Sequence, residues 1–311
     1  MRHKMSYFFF LIFLFMTIPY LITVSMTIRK EKKETNFESY DSGYKIISEK
    51  EEIDLEKYLL EILPGQISMD YEEETLKAQA VILRTDILRR MGKEKTMKED
   101  DLPYQRQTDA QLKKAFGNKK YEIKDQLRKR VVSDTIGKVI FCGKSYIQPY
   151  YHGISVGTTL DAEEWFGKKI SYLKAKDSVR DVEASEYMTV QNITYGKIVN
   201  KLKEKKGKEV TVEELKKNLC LKRTTRNGYV KEIQAGTVTV SGELWAEWFR
   251  LASNNFYLEA YDGKVRIICL GKGNGLGLSQ YGANELAKEG KNYQKILKYY
   301  YSGIKIKDFR E

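Results

Sequence analysis

The sequence predicts an α+β fold carried behind one N-terminal membrane-spanning helix. Three observations support this. An uncharged run opens the chain, helical periodicity marks its early and late parts, and short β-like runs between them lack the strand-helix alternation of a parallel sheet. With 311 residues, 41% of them hydrophobic and only four prolines, the chain can bury a sizeable core.

Ser6 to Ile28 (SYFFFLIFLFMTIPYLITVSMTI) carries no charge and has about the 20 residues a helix needs to cross a bilayer. Thr23-Val24-Ser25 is a poor cleavage site, so residues 1–28 are expected to remain as an anchor. Basic residues flank both ends, and counting them alone would put the C-terminal side in the cytoplasm. Residues 29–52 read as a charged stalk, and residues 53–308 as the folded domain.

In that domain Leu55, Tyr58, Leu59, Ile62 and Leu63 recur at helical spacing, and Pro64-Gly65 is expected to stop the run. Asp70 with Glu73 has the arrangement of a capping box for a second helix. The buried stripe of that helix is Leu76, Ala80, Leu83 and Ile87, and Gly92 ends it. Lys77, Gln79 and Arg84 fall off the stripe and are candidates for a ligand-facing side. Residues 93–131 are so charged that they read as a solvated helical insertion, with a short helix over Ala110 to Phe116. Strand-like runs follow at Lys138 to Cys142 and Ile147 to His152. A polar helical segment is expected over roughly Val190 to Leu221, then strands around Val230, Val238 and Lys264 to Leu270. Ser279 to Lys288 and Tyr293 to Tyr300 read as closing helices.

The net charge is +12, of which Arg2, Lys4, Arg29, Lys30, Lys32 and Lys33, less Glu31, hold +5 near the anchor. The remaining +7 suits an anionic partner: a wall polymer, a lipid surface or a nucleic acid. The anchor and the scattering of lysines among glutamates argue against nucleic acid. Cys142, Cys220 and Cys269 are far apart and form no CxxC pair, so neither a disulfide framework nor a zinc knuckle is signalled. Cys142 with His152 is the one combination that could bind zinc; otherwise no metal and no cofactor is expected.

Two segments carry the chemical signal. Pro64 to Tyr71 (PGQISMDY) leads into Glu74 to Val81 (ETLKAQAV), and Gly271 to Ala283 reads GKGNGLGLSQYGA. The second has glycine at alternate positions, lacks the Gly-Lys-Ser/Thr end of a P-loop, and fails GxGxxG in register. It reads as a loop feeding a helix N-terminus, suited to a polar ligand.

Together these segments resemble the SpoIID/LytB family, whose hallmarks are LKAQAV and SQYGA, here Leu76 to Val81 and Ser279 to Ala283. Pro149-Tyr150-Tyr151-His152 with Ser155, Gly157 and Thr159, Ser253 to Phe256, and Tyr300 to Gly303 extend the resemblance over roughly residues 50–308. The resemblance implies an extracytoplasmic domain that engages peptidoglycan glycan strands. Its activity is lytic transglycosylation in some members and stimulation of wall amidases in others. Implied partners are glycan strands, a cell wall amidase and other sporulation membrane proteins. Implied substrate-binding residues are His152, Ser155, Gly157, Thr159, Gly273, Asn274, Gly275, Gly277, Ser279, Gln280 and Tyr281.

The implied catalytic acid is a glutamate ten residues before the leucine of LKAQAV, a position held here by Gln66. An amide matches the shape of the acid and still forms hydrogen bonds, but has no proton to give a leaving sugar oxygen. Other departures accompany it: Asn274 for a histidine, Ala252 for an arginine and Val156 for a small residue. The expectation is therefore a glycan binder with lost or weakened cleavage. The alternative is an active enzyme with a displaced acid, for which Asp70 is the best candidate. Tyr281, Trp165, Trp245 and Trp248 can stack on sugars, although core roles fit the tryptophans better.

Overall fold

The computed structural model describes Phe13, Phe15, Thr17 and Ile18 and residues 35–310. The expected anchor therefore lies almost wholly outside the described residues, as does the start of the stalk. Among the described residues no helix is long and apolar enough to cross a membrane. Residues from Asp41 onward form one compact unit, described below.

The unit is mixed α and β. Strands β1 (Lys45–Ile47), β2 (Glu52–Asp54) and β3 (Thr96–Lys98) make a small sheet in the order β2-β1-β3. Helix α1 (Leu55–Gln66) follows β2 directly and is capped by the Asp54 side chain. It does not stop at Pro64 but runs on through Gln66. A proline inside a helix leaves the carbonyl four residues back without its amide donor. That carbonyl belongs to Leu60, and the Arg128 guanidinium donates to it at 3.3 Å.

Helix α2 (Glu73–Met91) is the centre of the molecule, packed by α1 and by elements from both later parts of the chain. The expected stripe of Leu76, Ala80, Leu83 and Ile87 is buried, and so is most of the opposite face. Arg84 is fully buried, forming a two-pronged ion pair with buried Glu56 at 2.8 and 2.6 Å and donating to the Lys138 carbonyl. Lys77 is held by Glu73, Glu74 and Asp134. Neither cation is available on a ligand-facing side. Asp70 does not cap α2 either, because the N-cap is Glu72, whose backbone amide is bound by the Asn284 side chain at 2.8 Å.

The charged stretch after α2 is built into the fold. Helix α3 (Asp109–Phe116) has a Thr108–Gln111 capping box, and α4 (Asn118–Asp134) continues as a 17-residue helix against α1 and α2. Tyr121, Lys124, Asp125, Arg128, Val131 and Val132 of α4 are buried. Its polar residues reach the interior because each finds a partner: Arg128 binds Asp125 and Asp109, and Lys124 binds Asp70.

Strands β4 (Lys138–Cys142) and β5 (Ser145–Tyr146) pair as a hairpin, and β6 (Tyr151–His152) follows before α5 (Ala162–Phe166) and a 3₁₀ turn over Val179–Glu183. The segment expected to be helical opens instead with strand β7 (Met188–Thr194), then α6 (Tyr195–Lys206), α7 (Val212–Lys217) and β8 (Leu219–Thr224). Strands β9 (Val230–Ala235) and β10 (Val238–Ser241), helix α8 (Gly242–Phe249), and strands β11 (Phe256–Tyr261) and β12 (Lys264–Leu270) complete this part. Two antiparallel three-stranded sheets, β10-β9-β8 and β11-β12-β7, here enclose a core of Trp245, Phe249, Phe256, Ile198 and Ile267.

The chain then returns to the first part. Strand β13 (Leu278–Ser279) pairs parallel with β6, followed by α9 (Gln280–Lys288), α10 (Tyr293–Tyr300) and β14 (Lys305–Asp308), which lies against β4. Val81, Ile82, Ile140, Leu276, Leu278, Ile296, Tyr300 and Tyr301 belong to this first core.

Candidate functional site

The two motif segments, some two hundred residues apart in sequence, meet in space. Gln280 opens α9 and directs its side-chain amide inward, donating to the Gln66 carbonyl at 2.7 Å and to the Gln79 side chain at 3.1 Å. One side chain therefore joins SQYGA to LKAQAV and to the end of α1. Gln79 and Gln280 are both buried, so these bonds form in a low-dielectric interior where a missing partner would be costly.

The Gln66 side chain is held by another contact. The Tyr151 hydroxyl donates to Gln66 Oε1 at 2.7 Å, and Gln66 itself is half-exposed. Burial pushes the Tyr151 phenol up, so it remains a donor across the accessible pH range. Tyr151 precedes buried His152 on β6, and successive strand residues point to opposite faces. That alternation is visible in the Tyr-Tyr-His string, yet sequence reasoning passed over Tyr151 as a site residue.

The glycine loop lies flat on residues 150–155. Lys272 exchanges backbone hydrogen bonds with Gly153 and Ile154, and the Leu278 amide donates to the Tyr150 carbonyl. Gly277 has a φ of +69°, and a Cβ there would collide with that same carbonyl. Glycine at 277 is thus required by the protein's own backbone. The amides of Gly271 and Gly273 are likewise taken, by the carbonyls of Tyr187 and Ala252. Asn274 folds back to accept from the Leu276 amide at 3.1 Å.

The sequence-predicted binding residues therefore divide into two groups. His152, Ser155, Thr159, Gly275, Gly277, Ser279 and Gln280 are buried beneath the surface, with Ser279 capping α9 through the Gly282 amide. Gln66, Gly157, Gly273, Asn274 and Tyr281 are half-exposed. Asp70 points to solvent with its carboxylate 2.5 Å from the Lys124 ammonium. Trp245 is fully buried, Trp248 packs against the same core, and Trp165 is half-buried beneath the Lys231 ammonium.

His152 is buried. Its Nδ1 lies 2.9 Å from the Leu276 carbonyl, which can only accept, so Nδ1 carries the proton. Burial holds the imidazole below its ordinary pKa, and Nε2 has no partner among the described residues. Asp181, on the 3₁₀ turn, is a second buried polar group that the sequence did not mark. One of its oxygens accepts from the Ser155 amide at 2.6 Å, and the other has no partner among the described residues. That free oxygen, the Ser178 hydroxyl and the Tyr300 hydroxyl crowd Gly282, where a Cβ has no room. Cys142 lies beside Ser171, and among the described residues no group of three or more His, Cys, Asp or Glu side chains could hold a metal.

Comparison with known proteins finds a family match and relatives that cover most of the chain. Residues 43–141, from β1 through β4, match the family model described as SpoIID, Stage II sporulation protein. The chain is similar to stage II sporulation protein D of Bacillus subtilis (strain 168), 29% identical over 271 residues that cover 83% of this chain and 76% of that protein. It is also 28% identical over 274 residues to stage II sporulation protein D of Bacillus amyloliquefaciens, covering 83% of this chain and 75% of the relative. The motif helix lies inside the matched region and the similarity reaches across most of the chain, which supports the SpoIID family.

Proposed function

We propose that this protein is a sporulation cell wall protein that binds peptidoglycan glycan strands at the Gln66 junction and has lost or weakened the ability to cut them. The observation that carries this reading is the placement of Gln66, an amide held by Tyr151 at the meeting point of both family motifs. Cleavage between the sugars requires a group that gives a proton to the leaving oxygen and then takes one from the attacking hydroxyl. Gln66 does neither. With its oxygen occupied by Tyr151, it offers N–H donors to an acceptor such as a sugar oxygen or an acetamido carbonyl.

Asp70, the candidate for a displaced acid, is solvent-facing, and its carboxylate is engaged by the Lys124 ammonium. The protein is proposed to act outside the cell behind its N-terminal anchor, alongside a wall amidase.

Incubating the full-length chain with purified sacculi tests the reading. The expected result is co-sedimentation with the wall and no anhydro-muropeptides by mass spectrometry. Release of such products, lost in Asp70→Ala, would overturn it in favour of an active enzyme. Gln66→Glu is expected to bring back detectable cleavage, because Tyr151 can donate to a carboxylate as it does to the amide.

A further inference from the structure

Strand β7 is the outer member of the sheet β11-β12-β7. It pairs with β12 in unbroken register, from Thr194 opposite Lys264 to Met188 opposite Leu270. Among the described residues no strand pairs with its other edge, so a row of backbone donors and acceptors is left open there. Such edges invite pairing, and proteins blunt them with charges, prolines or bulges. This strand, MTVQNIT, has none of these, and the uncharged run extends from Tyr187 to Gly196 in a chain that is 32% charged.

Two of its four outward side chains are apolar, the others being Asn192 and Thr194. Met188 and Val190 are 60% and 54% exposed. Half-buried Leu270 and Ile268 stand beside them on β12, and Tyr257 lies across from Ile268 on β11, 47% exposed.

We propose that β7 is a self-association surface, pairing antiparallel with β7 of a second copy about a two-fold axis at Gln191. The strand matches itself in that register. Val190 faces Asn192 of the other copy, Met188 faces Thr194, and on the opposite face Thr189 meets Ile193. On the axis, Gln191 meets its own copy, and an amide both donates and accepts. Residue parity is preserved, so the apolar Met188 and Val190 of both copies stay on one face of a continuous sheet. No charged side chain of the strand opposes another, which matters for two copies that each carry +12. A two-fold contact of this kind closes on itself and stops at the dimer. The edge is about 24 Å long at roughly 3.4 Å per residue. That places the contact at the small end of specific interfaces, and dimers should form only at high local concentration.

Disulfide trapping in the full-length chain tests this, with Cys142 and Cys220 replaced by serine to remove the less buried thiols. Directly opposed antiparallel residues have Cα atoms about 4.5–5.5 Å apart, within disulfide range. Gln191→Cys should therefore cross-link to itself at least about tenfold faster than Val190→Cys or Asn192→Cys alone, while a mixture of those two should cross-link to each other. Adding Val190→Lys should abolish the Gln191→Cys cross-link while leaving the circular dichroism unchanged. Equal rates at the three positions, or a cross-link that survives Val190→Lys, would overturn the proposal. A chain that stays monomeric because the edge takes a strand from a different protein would leave Gln191→Cys unlinked, which also overturns it.

Discussion

At the scale of single residues, the molecule shows how a sequence-breaking residue is accommodated by one placed far away. Pro64 removes the amide that the Leu60 carbonyl would use, and Arg128, from α4, supplies the missing donor while binding Asp125 and Asp109. Loss of Arg128 leaves a buried carbonyl and a buried carboxylate short of partners, so Arg128→Met should cost about 3–5 kcal/mol in urea unfolding. Restoring the helical amide makes the guanidinium partly redundant. In a Pro64→Ala background the same substitution should cost roughly 1 kcal/mol less, the worth of one hydrogen bond. A cycle with no coupling would mean that Arg128 acts only through its carboxylates. The same scale governs the candidate site, where a phenol fixes an amide. Tyr151→Phe should weaken binding to sacculi about two- to tenfold, the range of a single hydrogen bond, with the thermal midpoint little changed.

At the scale of elements, hydrophobic periodicity was readable wherever apolar side chains alone decide burial. The stripe of α2, the closing helices α9 and α10 and the meeting of LKAQAV with the glycine loop all follow from it or from the motif strings. It failed where polar groups are buried in pairs. Helix α4 looks like a solvated insertion because its buried charges are Arg128, paired with Asp125, and Lys124, whose partner Asp70 lies at the surface, and a hydropathy pattern cannot register a charge that brings its own partner. Arg84 with Glu56 escaped notice for the same reason. In the site, Asp181 was illegible as a participant because its partner, Ser155, lies 26 residues away, and the alternation around Tyr151 was visible but not its partner, Gln66, which lies 85 residues away. The glycine loop was legible as a loop but not in its role, since its glycines serve close packing against residues 150–155. Gly277→Ala should therefore disrupt the loop rather than rigidify it. A loss of about 2–4 kcal/mol is expected from the strained φ and the clash with Tyr150, with sacculus binding falling in parallel. An alanine variant of undiminished stability would mean the loop moves freely off the 150–155 segment.

At the scale of the whole molecule, buried phenols set its response to alkali. Tyr58, Tyr104, Tyr229, Tyr300 and Tyr301 are buried, and burial, foremost among the causes, pushes each above the ordinary tyrosine range. The sign follows from linkage. A phenol whose pKa is raised by folding keeps its proton in the native state, while the unfolded chain releases its own above about pH 10. The stabilisation is thus fully present below that pH and is lost as pH rises beyond it. Each such phenol contributes a slope of about 1.4 kcal/mol per pH unit, so five together exhaust a typical stability of 5–15 kcal/mol within roughly two units. Unfolding should be cooperative and fall at about pH 11–12, with phenolate absorbance rising as the circular dichroism collapses. Tyr58 separates this account from generic alkaline damage, because its buried hydroxyl has no partner among the described residues. Tyr58→Phe removes both an unsatisfied group and one titrating phenol. It should gain roughly 1 kcal/mol at neutral pH and make the alkaline limb shallower. If the phenolate signal instead rose a full pH unit before the secondary structure was lost, the buried tyrosines would be ionising in the native state and the linkage would not hold.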